Sequence, residues 1–77
     1  MTIKEFEDII ENHSDIMMHC GSFKFTIMTC FEKLMICEQQ TDKEMYFETV
    51  EDMLDCYKIG DNTLRDRISS VVLDSCS

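Results

Sequence analysis

Residues 23–30 read Phe-Lys-Phe-Thr-Ile-Met-Thr-Cys, and their alternation decides the fold. Phe23, Phe25, Ile27 and Thr29 fall on one side of an extended chain and Lys24, Thr26, Met28 and Cys30 on the other, the period of two of a half-buried strand. Upstream, the apolar run Ile16 to Cys20 stops at Gly21 and Ser22, a tight-turn pair, so a hairpin is expected. Downstream, Lys33 to Gln39 sets Leu34 and Ile36 on one face and Met35 and Cys37 on the other. A strand apolar on both sides belongs at the centre of a sheet or under a cover. The turn between these strands is expected near Cys30 to Glu32. The polar stretch Gln39 to Lys43 predicts another turn before a short strand around Met45 to Glu48, and the β-branched run Val71, Val72, Leu73 suits a last strand.

Helical period frames these strands. Thr2 and Glu5 form a T-x-x-E capping box, after which Ile3, Phe6, Ile9, Ile10 and His13 recur at helical spacing, predicting a helix from about Ile3 to His13. Its other face carries Glu5, Asp8, Glu11 and Asn12, with Glu7 and Lys4 flanking. Thr49 is read as the cap of a second helix whose buried stripe is Val50, Met53, Leu54 and Tyr57; Glu51, Asp52 and Asp55 point away, and Gly60 is expected as its C-cap. Asp61, Asn62 and Thr63 suit the start of a short helical turn carrying Leu64 to Ile68. The order is α-β-β-β-β-α-β: one α+β domain over residues 1–77, a mostly antiparallel sheet of four to five strands with two helices packed on it.

The segment YFETVEDMLDCYKIGDNTLRDRISSVVL, about a third of the chain, resembles the C-terminal part of small acidic proteins of Firmicutes and their phages and mobile elements. The matching positions, Phe47, Val50, Leu54, Tyr57, Ile59 and Leu64, are all core positions in the reading above. The resemblance therefore implies a bacterial or phage-borne origin and assigns no functional residue.

Sixteen acidic side chains against seven basic ones leave a formal charge of −9 on 77 residues. That excess repels phosphate backbones and anionic membranes, so no direct nucleic-acid or membrane binding is expected, and it favours basic protein surfaces. With 44% hydrophobic residues the chain nevertheless has the material for a core. MTIKEFEDII shows neither a basic n-region nor an apolar h-region and so reads as a structural element, which points to a cytoplasmic protein. Five cysteines, Cys20, Cys30, Cys37, Cys56 and Cys76, form no C-x-x-C pair and no zinc-ligand spacing. They are expected reduced and buried as small hydrophobes, with Cys76 the exposed exception.

No catalytic constellation is present, so the expected function is non-enzymatic, without metal or cofactor. His13 sits where a helix end favours a cation. His19 and Cys20 are strand neighbours and point to opposite faces, so they form no dyad. Two glycines cannot build a phosphate-cradling loop, and Asp61-Asn62-Thr63 lacks the register and bidentate Glu of a calcium loop. Met17, Met18, Met28, Met35 and Met53 are expected to fill gaps in the core.

The charge itself carries the functional reading. Asp42, Glu44, Glu48, Glu51, Asp52, Asp55 and Asp61 face only Lys43 and Lys58 within their span, and Asp66 continues the series. With the first helix, the expected partner-binding set is Glu5, Asp8, Glu11, Glu48, Glu51, Asp52 and Asp55. Side chains so spaced imitate a phosphate series and would occlude a basic groove, the mode of a DNA-mimic or anti-CRISPR-like inhibitor of a nucleic-acid-binding protein. The alternative is a structural or regulatory protein that self-associates, as a homodimer, through an apolar Met- and Phe-rich sheet face.

Overall fold

A computed structural model of the chain describes residues 1–30 and 32–77. It is an α+β domain of 29 × 26 × 22 Å. Helix α1 (Ile3–Asn12) leads into strands β1 (Asp15–Cys20), β2 (Phe23–Cys30), β3 (Lys33–Glu38) and β4 (Glu44–Phe47). Helix α2 (Val50–Cys56), a minimal hairpin of β5 (Lys58–Ile59) and β6 (Asn62–Thr63), helix α3 (Leu64–Arg67) with a 3-10 turn at Ile68–Ser70, and β7 (Val71–Cys76) follow. The main sheet runs β4-β3-β2-β1-β7, antiparallel throughout.

Local chemistry explains the elements. Both halves of the capping box at α1 form: the Glu5 amide donates to Thr2 Oγ1 at 3.1 Å and the Thr2 amide to Glu5 Oε1 at 2.9 Å. Thr49 and Thr63 cap α2 and α3 in the same way, accepting from the amides of Asp52 and Asp66. Gly21 opens the two-residue turn between β1 and β2 with φ +63°, the left-handed conformation that glycine adopts at least cost.

Gly60 differs from its expected role. Helix α2 already ends at Cys56, with Tyr57 as its cap, and Gly60 instead turns the β5–β6 hairpin at φ +68°. The reason is the buried sequence just before it: Tyr57 and Ile59 both enter the core, 1% and 7% exposed, which an extended chain permits at i and i+2 and a helix does not. The turn expected near Cys30 to Glu32 includes a residue outside those described, and the expected burial of the Cys30 side chain likewise lies outside the described structure.

The core lies on one side of the sheet. Ile16, Met18, Phe25, Ile27, Ile36 and Val71 point to it from the strands, and Phe6, Ile10, Met53, Leu54, Leu64 and Ile68 meet them from the helices. Tyr57 is its hub: its ring lies 6.1 Å from Phe25 and 6.4 Å from Phe47, and its hydroxyl donates to Glu38 Oε2 at 2.8 Å. Among the described residues no buried side-chain polar atom lacks a partner.

Since α1, α2 and α3 all contribute to this one cluster, all three cover the same face of the sheet, and the opposite face is bare. Strand β3 is an interior strand, between β4 and β2, and of its two apolar faces only that of Leu34 and Ile36 is covered; Met35 and Cys37 are half-buried on the bare side. Only Met18 and Met53 of the five methionines expected in the core are there. Met17 and Met28 are 42% and 37% exposed, because their strand positions have the parity of the uncovered face. Cysteine burial is corrected likewise: Cys20 is buried, Cys37 and Cys76 are half-buried, and Cys56, on the outer side at the end of α2, is the exposed one. Cys76 pairs with Ile16 across β1 and β7 and packs against the core, which covers it in part.

Candidate functional site

Two surfaces carry the features from which a function can be argued: the helix layer with its acids, and the bare sheet face. On α1, Glu5, Asp8 and Glu11 are all exposed, opposite the buried Phe6 and Ile10. Glu5 also serves the cap, and its hydrogen bonds from the Thr2 amide and hydroxyl hold its carboxyl below the usual carboxylate range. On α2, Glu51, Asp52 and Asp55 are exposed as well, opposite Met53 and Leu54, and Glu48 is exposed in the bend that precedes the helix.

The helices therefore bring both acidic groups to the same side of the sheet, the arrangement on which their joint action depends. They are not left equally free. Arg65, at the start of α3, donates through Nε to Asp55 Oδ1 at 2.7 Å and through an Nη to Glu51 Oε2 at 2.9 Å. One guanidinium so offsets part of the charge of two carboxylates and fixes their spacing. The hydrogen bonds to Asp55 and Glu51 in turn push the Arg65 guanidinium above its ordinary range. This bridge joins residues 10 and 14 positions apart across two helices, and the sequence holds no periodicity that points to it.

The bare face is built from the other parity of the strands. Cross-strand register sets Tyr46, Met35, Met28 and Asp15 in one row, and Glu44, Cys37, Thr26 and Met17 in the next. Lys24, His19 and Val72 form a third. Tyr46 is 57% exposed and Val72 49%, so with Met17 and Met28 all four exposed large hydrophobic side chains among the described residues lie on this face. Phe23 and Phe25 do not: they point to the helix side, and the face is one of methionine, tyrosine and valine instead of the Met- and Phe-rich one expected.

At one corner of this face His19 meets Asp74. The β1–β7 register shifts between Met17 and Met18, leaving Asp74 as an extra residue that reaches His19 Nδ1 with both carboxylate oxygens, at 2.8 and 2.9 Å. Together with Met17, Gly21, Lys24 and Gln39 the pair lines a shallow depression of about 350 Å³. Side-chain exposures of 31% and 40% make this a solvated surface pair. The lining offers the imidazole no hydroxyl or thiol to activate, and Cys20 lies buried on the other face of β1. His13 closes α1, its amide donating to the Ile9 carbonyl at 3.1 Å.

Charge differs between the bare face and the rest of the chain. The bare face holds three acids, Asp15, Glu44 and Asp74, and two lysines, Lys24 and Lys33. The remainder of the chain then has thirteen acids against five lysines and arginines, a net of −8 out of −9. No group of histidine, cysteine, aspartate and glutamate side chains among the described residues is disposed to hold a metal ion, and no helix among them is long and apolar enough to cross a membrane. In comparisons with known proteins, no family model, curated protein or solved structure matches the chain.

Proposed function

We propose that this chain is a non-catalytic protein-binding module whose acidic helix layer docks on a basic protein surface. The reading that fits best is a phage- or mobile-element-borne inhibitor, acting in a bacterial cytoplasm in the manner of a DNA mimic. It occupies a groove that otherwise holds nucleic acid, and occlusion alone is the mechanism. The observation that carries the proposal is the distribution of charge: Glu5, Asp8 and Glu11 on α1 share one side of the sheet with Glu51, Asp52 and Asp55 on α2, while the opposite face is close to neutral. A uniform solubility coat would not divide in this way.

Short Thr-capped helices hold these carboxylates on a rigid core, so little side-chain and backbone order remains to be gained on docking. Glu51 and Asp55 are already bridged by Arg65, whereas Asp52 offers a carboxylate outside that bridge.

The test is capture from bacterial lysate on the immobilised chain at low and high salt, beside a variant carrying Glu5→Lys, Asp8→Lys and Glu11→Lys and a second carrying Glu48→Lys and Asp52→Lys. The expected result is a basic nucleic-acid-binding protein retained at low salt, released as screening rises, and lost from both variants. Retention of the same proteins by the reversed variants would refute the proposal.

A further inference from the structure

The bare face has the anatomy of an interface, apolar at its centre and charged at its margin. Met35, Met28, Cys37, Thr26 and Met17 occupy the middle of the register grid. Lys33 and Lys24 stand at opposite ends of the central strands, three two-residue steps apart, about 20 Å at strand rise. Glu44 and Asp74 stand on the opposite edge strands β4 and β7, four strand spacings or about 19 Å apart. Bases therefore mark one diameter of the patch and acids the perpendicular one, at equal span.

We infer that this face binds a second copy of the same chain, face to face across a two-fold axis, with the strands of the two sheets crossing near a right angle. An axis lying in the interface, diagonal to the strands, exchanges the two diameters. Glu44 then meets Lys24 of the partner subunit, and Asp74 meets Lys33 of the partner subunit. The same operation lays Met17 on Met35 of the partner subunit and Tyr46 beside His19 of the partner subunit. Orthogonal packing of two sheets about 10 Å apart is an established solution, and methionine fills the irregular space between them.

Charge selects a second copy over other occupants. Elsewhere the chain carries a net of −8, so any other self-contact brings like charges together, whereas this face is nearly neutral and its margin is complementary to itself. The dimer would turn both helix layers outward. A footprint of about 20 by 19 Å is small for a stable dimer, so dissociation on dilution is expected. Asp15 lies near the axis, beside its own copy, and is the one unfavourable pairing of the arrangement.

Sedimentation velocity over a concentration series tests the inference, with circular dichroism as the check on folding. The wild type should pass from monomer to dimer as concentration rises. Met28→Lys, at an exposed position outside the core, should remain monomeric at concentrations where the wild type is dimeric. Lys24→Glu and Glu44→Lys should each weaken the dimer at least tenfold, the double variant Lys24→Glu/Glu44→Lys should recover most of the loss, and Asp15→Asn should tighten it. Glu11→Lys, on the helix layer, should leave it unchanged. A wild type monomeric throughout, a dimeric Met28→Lys, or a double variant no better than its parents would each overturn the inference.

Discussion

Replacing Tyr57 by Phe removes one oxygen from the centre of the molecule. The ring contacts with Phe25 and Phe47 survive, and the variant loses the 2.8 Å hydrogen bond to Glu38. A bond to a carboxylate contributes more than a neutral one, but Glu38 is only half-buried and keeps the Thr41 hydroxyl on its other oxygen at 3.0 Å. The expected loss at pH 7 is therefore about 1 kcal/mol, or roughly 4–8 °C in Tm for a domain of this size. The pH dependence gives a second and sharper signature. Burial first, and the hydrogen bond to Glu38 and its charge after that, hold the Tyr57 phenol protonated well above its ordinary range. In the unfolded chain the phenol titrates near pH ~10. Below that pH both states hold the proton and the stabilisation is complete. Above it the unfolded chain releases a proton that the native state keeps, so wild-type stability falls by up to about 1.4 kcal/mol per pH unit from this group. Tyr57→Phe lacks the group, and its stability curve should converge on that of the wild type as the pH rises past 10. Urea unfolding followed by far-UV circular dichroism between pH 7 and 11 measures both effects. Parallel curves for the two proteins across that range, or equal stability at pH 7, would refute this account of the core.

Three further outcomes are expected. Thr2→Ala opens the capping box and should cost about 1 kcal/mol in urea unfolding, with the loss confined to a frayed first turn of α1 by hydrogen exchange. Leu54→Ala, at a fully buried site between α2 and the sheet, should cost about 2–5 kcal/mol and leave the domain only marginally folded, read as the unfolding midpoint in the same assay. Under native conditions a thiol reagent should, among Cys20, Cys37, Cys56 and Cys76, label Cys56 first and Cys20 last; early labelling of Cys20 would contradict the burial of β1 against the helices.

Much of this architecture is legible in the chain because its signals are local. The Thr2–Glu5 box, the alternation of residues 23–30 and the Gly21 turn each specify an element within a few positions, and each element forms where expected. Gly60 misleads because a glycine after a helical stripe serves a C-cap and a hairpin equally well. What separates them is the burial of both Tyr57 and Ile59, a property of the assembled core. Period two likewise shows that each strand has two faces without showing which one the helices will cover, so Met17, Met28 and Met35 read as core material when they are surface. Of the candidate site, the exposure of Glu5, Asp8, Glu11, Glu51, Asp52 and Asp55 follows from helical period, and Glu48 lies outside it. The Arg65 bridge and the His19–Asp74 pair do not, since each depends on how two separate elements pack together; the second also joins distant parts of the chain and needs a one-residue shift in register that no pattern announces.

That shift in register has a consequence for how copies of this protein can meet. A flat sheet with an apolar face and two long free borders is a template for open-ended cross-β growth, each border recruiting a strand of the next molecule. Here one border is the four-residue β4, and the other is β7, where the extra residue disrupts the ladder and sharpens the local twist. Both borders are poor templates for strand addition. Sideways growth into fibres is discouraged, and of the ways in which a methionine-rich sheet can be sated, the closed one, through its broad side, is left open.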